Sequence, residues 1–90
     1  MTQEQEAKLR DQLDQLHDFP DVYLFKFIIP TDDDKKNLVL SKFSKNAEIK
    51  IKSSRKGNYE SISIKEVMMS IDAVIDRYKS LGQIEGLISL

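Results

Sequence analysis

Apolar residues recur along this chain with two different periods, and the changes of period mark its elements. Leu9, Leu13 and Leu16 are spaced four and three apart within a Glu-, Gln-, Lys- and Asp-rich stretch from Gln5 to Leu16. That spacing predicts an amphipathic helix with one face to bury. Phe19-Pro20 ends it, because the residue before proline disfavours the α region. From Val22 to Ile29 the chain is β-branched and aromatic, with Lys26 its only charge. Such density predicts a central strand covered on both faces. Pro30 closes that strand. Thr31 is placed to cap a helix whose first turn carries Asp32, Asp33 and Asp34, carboxylates that suit the positive end of a helix dipole. Leu38, Val39, Leu40 and Phe43 carry this helix to about Lys45.

The period then changes to two. Ala47, Ile49 and Ile51 alternate with Glu48, Lys50 and Lys52, and Ile62 and Ile64 alternate with Tyr59, Ser61, Ser63 and Lys65. These are two half-buried strands. Between them, Gly57 supplies the positive φ that a tight hairpin requires, with Asn58 the next best residue for it. A helical stripe follows from Glu66 to Leu81 (Val67, Met68, Ile71, Val74, Ile75, Tyr78 and Leu81), with Gly82 placed as its C′ residue. Ile84 to Leu90 predicts a last short strand.

The order is helix, then β-α-β-β-α-β. We therefore expect an α+β, ferredoxin-like sandwich: a four-stranded antiparallel sheet with two helices on one face, plus an extra N-terminal helix. Residues 1–20 form the N-terminal helix and connector, and residues 21–90 the ferredoxin-like, ACT-like domain. The first and third strands should be central. On the face away from the two main helices we place Leu24, Lys26 and Ile28, then Tyr59, Ser61, Ser63 and Lys65, with Lys50 and Lys52 outside. The N-terminal helix either covers part of that face or packs at an edge.

Ninety residues with 40% hydrophobic and 32% charged side chains bound one soluble domain with one modest core. No cysteine is present, which removes thiolate chemistry and disulfides. No apolar run approaches the roughly 20 residues that span a bilayer. The acidic N-terminus lacks the basic start and apolar centre of a secretory signal, so a cytoplasmic protein with no membrane partner is expected. The charge is uneven. Residues 1–21 carry two basic and six acidic groups, residues 22–65 ten basic and five acidic, and residues 66–90 two basic and four acidic. A basic middle between acidic ends either attracts an anionic partner or is neutralised by the ends folding against it; the second reading is the simpler one.

The hairpin string Ser54-Arg55-Lys56-Gly57-Asn58-Tyr59, with Ser61-Ile62-Ser63-Ile64 after it, Leu16-His17-Asp18-Phe19-Pro20 before it and Tyr78-Lys79-Ser80-Leu81-Gly82-Gln83-Ile84 beyond, resembles the YbeD-like family of small bacterial proteins (DUF 493, a domain of unknown function). The resemblance covers roughly residues 13 to 90. It implies a ferredoxin-like domain similar to regulatory ACT domains and no catalytic residues to carry over. The longer acidic N-terminal helix and the polar Thr31–Lys36 segment depart from the family.

Candidate chemistry is sparse. His17 is the only histidine, sits at a helix end and has no neighbouring ligand set. Asp32, Asp33 and Asp34 lack the glycine and later glutamate of a calcium loop and are read as helix-start residues. Arg55 and Lys56, with backbone groups around Gly57 and Asn58, could hold a phosphate or carboxylate. Lys56-Gly57 and Tyr59 suggest the third strand of an RNA-recognition domain, but Asn58, Ser61 and Ser63 stand where stacking rings are needed. No nucleophile–base pair, metal set, phosphate-binding loop or cofactor motif is present, so no enzyme and no cofactor is expected. The first expectation is a regulatory or adaptor module that binds a protein partner or its own copy through the open sheet face and the Ala47–Ser53 edge. Its residues are Leu24, Lys26, Ile28, Lys50, Lys52, Arg55, Lys56, Gly57, Asn58 and Tyr59. An ACT-like sensor of an amino acid or other small anion, binding near the Pro30–Thr31 junction, comes second, although ACT sites usually have a glycine there. A nucleic-acid binder using Lys26, Lys50, Lys52, Arg55, Lys56 and Lys65 comes third.

Overall fold

A computed structural model describes residues 1–90. In chain order the elements are α1 (Gln3–Leu16), β1 (Asp21–Pro30), α2 (Asp33–Ser41), β2 (Glu48–Ser53), β3 (Tyr59–Met68), α3 (Ile71–Leu81) and β4 (Ile88–Ser89). The strands form one antiparallel sheet in the order β2-β3-β1-β4, so β1 and β3 are central as expected. The α+β, β-α-β-β-α-β arrangement is present. Its irregularity is at β4, which pairs with β1 over two residues only.

The core follows from alternation along the two central strands. Phe25, Phe27 and Ile29 of β1 and Ile62, Ile64 and Met68 of β3 point to one side. There they meet Val39 of α2, Val74, Ile75 and Leu81 of α3, and Leu13 of α1 in a single cluster. Both main helices lie on this side. Phe43, just past α2, and Tyr78 of α3 each pack on the rings of both Phe25 and Phe27, with centroids 5.2 to 6.4 Å apart. Each buried Phe or Ile contributes about 1.5–3 kcal/mol. α1 joins the same layer by packing against α3. Leu13 is buried there, and Arg10 reaches Asp72 at 2.6 Å while Lys79 reaches Glu6 at 2.5 Å.

Several expectations are corrected. β1 is central but covered on one face only: Val22 and Leu24 remain about half exposed. The second main helix does not begin at Glu66, because β3 runs on to Met68. Asp21↔Met68 and Val22↔Val67 extend the ladder along the whole of β1. Ser70 then caps α3 by accepting the Ala73 N–H at 3.1 Å. Val67 is therefore an exposed strand residue, and Met68 is core from the strand rather than from a helix. α2 is capped by Asp32, which accepts the Lys35 N–H at 3.1 Å, and it ends at Ser41. Thr31 instead donates its hydroxyl to the Gly57 carbonyl at 2.6 Å. Leu16 is exposed, about one turn past Leu13, the buried residue of α1. Gly82 stays right-handed at φ −64, and the left-handed residue falls at Gly86, where an added Cβ would meet the Pro30 ring at 3.1 Å. Ile84 reaches the core from a turn, leaving Ile88 and Ser89 as the last strand.

The charged ends do not neutralise the basic middle. The acidic α1 is paired with α3, and the His17 Nδ1–H donates to the Asp21 carboxylate at 2.7 Å beside the rings of Phe19 and Tyr23. Two polar fasteners close the helical layer. Glu66 accepts from Arg77 at 2.8 Å and from the Ser44 N–H at 2.7 Å, while the Arg77 guanidinium lies 4.7 Å over the Phe43 ring. Buried Glu60 has Lys36 at 3.7 Å as its counter-charge.

Burial pushes the Glu66 carboxyl up, but its bonds to Arg77 and Ser44 outweigh that and hold it below the ordinary carboxylate value. Its stabilisation is therefore present above about pH 4.5 and is lost as pH falls through the depressed folded value. Glu66→Gln is expected to cost about 2 kcal/mol at pH 7 and to flatten the acid limb of the stability profile. Urea unfolding from pH 3 to 7 checks this; an acid limb as steep as in the parent chain would place the acid sensitivity elsewhere.

Candidate functional site

The side of the sheet opposite the helices carries no covering element. On it lie Val22, Leu24, Lys26 and Ile28 of β1, Tyr59, Ser61, Ser63, Lys65 and Val67 of β3, Glu48, Lys50 and Lys52 of β2, and Ile88 of β4. The register makes an apolar corner where Val22 faces Val67 and Leu24 adjoins both. It also makes a polar centre where Lys26 faces Ser63 and Ser63 faces Lys50. Val22, Leu24, Val67 and Ile88 are between 46% and 58% exposed, too much for residues with a structural duty on the far side.

The electrostatics of this face differ from those of the helical layer. Lys26, Lys50, Lys52 and Lys65, with Arg55 and Lys56 on the adjoining turn, give six cations against the single carboxylate of Glu48. None of the six makes an ion pair. All the ion pairs involve Arg10, His17, Lys36, Arg77 or Lys79. Cations left without partners on a surface retain their field for an incoming anion.

The hairpin turn is held both within itself and from the end of β1. The Gly57 N–H donates to the Ser54 carbonyl at 2.9 Å, and the Tyr59 N–H donates to Ser54 Oγ at 3.0 Å. Thr31 then ties the turn to the end of β1, donating its N–H to the Asn58 carbonyl at 2.9 Å and its hydroxyl to the Gly57 carbonyl. Gly57 has φ 76, with open space around the position of a missing Cβ, so backbone conformation alone requires glycine there. The Pro30–Thr31 junction and the turn are thus one unit.

At this end of the face Ile28, Lys52, Ser53, Ser54, Arg55, Tyr59 and Ser61 line a concavity of about 470 Å³. Of the residues singled out by sequence, the structure gathers Ile28, Lys52, Arg55 and Tyr59 here. Leu24, Lys26 and Lys50 share the face but stand along it, away from the concavity. Lys56 is exposed on the turn, and Gly57 and Asn58 direct their carbonyls to Thr31. Sequence reasoning missed Val22, Val67 and Ile88 on the face and Ser53 and Ser54 in the concavity. Val22 shares the parity of Leu24 and was legible. Val67 was concealed by the helix-like stripe that continues from it, although Ser70 is a capping residue in plain view.

A second concavity, about 820 Å³, lies between the end of α1 and the start of α3, with Asp11, Asp14, Asp18 and Asp72 around Arg10 and His17. The two sides of the molecule are thus of opposite charge. No group of three or more His, Asp or Glu side chains is arranged to hold a metal ion. No helix is long and apolar enough to cross a membrane.

Comparison with known proteins agrees with the resemblance seen in the hairpin string. The family model described as "Protein of unknown function (DUF493)" matches residues 14–89. The UPF0250 protein VP0718 of Vibrio parahaemolyticus is 35% identical over 89 residues, an alignment that spans 94% of this chain and 92% of that protein. No solved structure matches the chain.

Replacing Leu24 or Val67 by Thr is expected to change the unfolding free energy by less than about 0.5 kcal/mol each. Ile64→Thr, on the other side of the same sheet, should cost about 2–4 kcal/mol. Chemical denaturation of the three variants tests the assignment of faces; comparable losses at all three positions would mean that something covers the open side.

Proposed function

The chain belongs to the DUF493 family, and we propose that it works as a non-enzymatic regulatory or adaptor module that binds an acidic protein surface through the open face of its sheet. One observation carries this reading. The face combines exposed apolar side chains with a set of cations that have no internal partner, while α1, the one element free to cover it, packs on the helical layer instead. Apolar area supplies affinity, and the unpaired lysines supply orientation and rate of encounter. An acidic partner fits this arrangement. A basic one would face six like charges, and a purely apolar one would strand them.

The test is comparative affinity capture from the organism's lysate with three baits: the parent chain, Leu24→Asp/Ile28→Asp on the face, and Lys8→Glu on α1 as a control. A partner that serves this function is retained by the parent and the control, lost from the folded face variant, and released by moderate salt. Recovery of the same proteins by the folded face variant would remove the face from consideration.

A second reading has its own observation. The concavity at the hairpin end places Lys52 and Arg55 beside the serine hydroxyls and the ring of Tyr59, a setting for the carboxylate or phosphate of a small anion. Inorganic phosphate, nucleoside monophosphates and amino acids at millimolar concentration are expected to raise the melting temperature of the parent chain and not that of Arg55→Ala/Lys52→Ala. Equal shifts in both proteins would show that the effect does not arise at this concavity.

A further inference from the structure

β2 is an edge strand, and every one of its residues, Glu48 to Ser53, is exposed. Its two apolar residues are the unusual feature. Ile49 and Ile51 pair with Ile64 and Ile62 and so point to the helical side, yet the helices stop short of them and leave them 39% and 41% exposed. The backbone at this edge is also unclaimed. The Ser54 N–H donates to the Tyr59 carbonyl at 2.8 Å, which sets the phase of the ladder. With that phase, Lys52, Lys50 and Glu48 direct their backbone groups toward β3, while Ile49, Ile51 and Ser53 direct theirs outward.

We infer that β2 pairs antiparallel with β2 of a second copy of this chain, about a two-fold axis at Lys50, to give a weak dimer with a continuous sheet. The register is specified by the side chains together with the length of β2. With Lys50 opposite the partner subunit's Lys50, Ile49 stands opposite the partner subunit's Ile51, and Glu48 stands opposite the partner subunit's Lys52. By symmetry each of the last two pairs occurs twice. The exposed isoleucines then cover one another on the helical side, and the only carboxylate of the open face meets a lysine that lacks a partner within its own chain. The backbone groups of Ile49 and Ile51 exchange two hydrogen bonds at each pairing. Shifting the register two residues toward Ser53 puts Lys50 against the partner subunit's Lys52 at both pairs, a like-charge clash. Shifting it two residues the other way also pairs opposite charges, Glu48 with the partner subunit's Lys50, but keeps only Glu48 to Lys50 paired within β2 and leaves Ile51 and Lys52 opposite residues before the strand. The single like pair, Lys50 on the axis, keeps the association weak and reversible, as edge lysines do. An isologous contact of this kind closes on itself and does not propagate into fibres. It also joins two open faces side by side, which doubles the basic surface offered to a partner.

Sedimentation equilibrium between about 10 µM and 1 mM tests the association. The average mass of the parent chain is expected to rise from 10.4 kDa toward twice that value. Glu48→Lys and Lys52→Glu, each of which turns two attractive pairs into repulsive ones, should weaken the dimer about tenfold or more. The double variant restores both pairs with their signs exchanged and should recover the parent affinity. Lys50→Thr should tighten it. All four variants change exposed positions only, and circular dichroism verifies that each is folded. A parent chain that stays monomeric to about 1 mM overturns the inference, as does a dimer that the single swaps do not weaken or that the double swap does not restore. Because the readout is oligomeric state, it stands or falls independently of whether any acidic partner is captured.

Discussion

Side chains alternate across a strand, and in β1 and β3 this single geometric fact separates the inside of the protein from its open face. Ten consecutive residue pairs, from Asp21↔Met68 to Pro30↔Tyr59, lock the two strands together. Within that ladder Phe25, Phe27, Ile62 and Ile64 have no exposure at all, while their immediate neighbours Leu24, Lys26, Ser63 and Lys65 face the open side. A slip of β1 by one residue would turn its own set over. It would bury Lys26 and expose Phe25 and Phe27, a cost that the marginal stability of a small domain does not tolerate. The register of this pair is therefore the constraint from which both the core and the basic face descend.

The helical layer completes what the register begins, and it uses charge for a different purpose. Arg77 is the clearest case. It lies over Phe43, bonds Glu66, and through Glu66 is tied to the Ser44 backbone, so one cation connects α3, β3 and the segment after α2. Tyr78, one residue on, bonds the Tyr23 hydroxyl at 2.9 Å, and burial together with that bond pushes its own hydroxyl pKa upward. Glu6, Arg10, Asp72 and Lys79 fasten α1 beside α3 in the same manner at the surface. Such exposed pairs add little individually, but they place the acidic helix, and its place is what leaves the sheet bare.

The outcome is a molecule with two chemically distinct sides. Carboxylates and their partners are concentrated in the helical layer, and the sheet presents lysines, serines and a few large apolar groups. The hairpin turn belongs to the second side, and Thr31 ties it to the end of β1, so Arg55 is carried on an anchored loop. The rigid support for that loop is the central ladder itself.

Local pattern determined much of this in advance. The period of two in Glu48–Ser53 and Tyr59–Lys65, the glycine with left-handed φ between them, and the aromatic density of Val22–Ile29 identified the hairpin, the central strand and the middle of the open face, though not Val22, Val67 and Ile88 on it. Each is a property of residues within a few positions of one another. What only the tertiary structure decided involved competition between distant segments. Val67 and Met68 fit a helical stripe as well as a strand, and the length of β1 resolved it by offering them a partner. Thr31 is a good helix cap by composition, but the nearby Gly57 carbonyl claimed its hydroxyl and Asp32 took the cap. Above all, the Leu9/Leu13 face of α1 could have packed on either side of the sheet. Its choice of α3, settled by contacts more than fifty residues away in sequence, left the basic face open, and no local period records that choice.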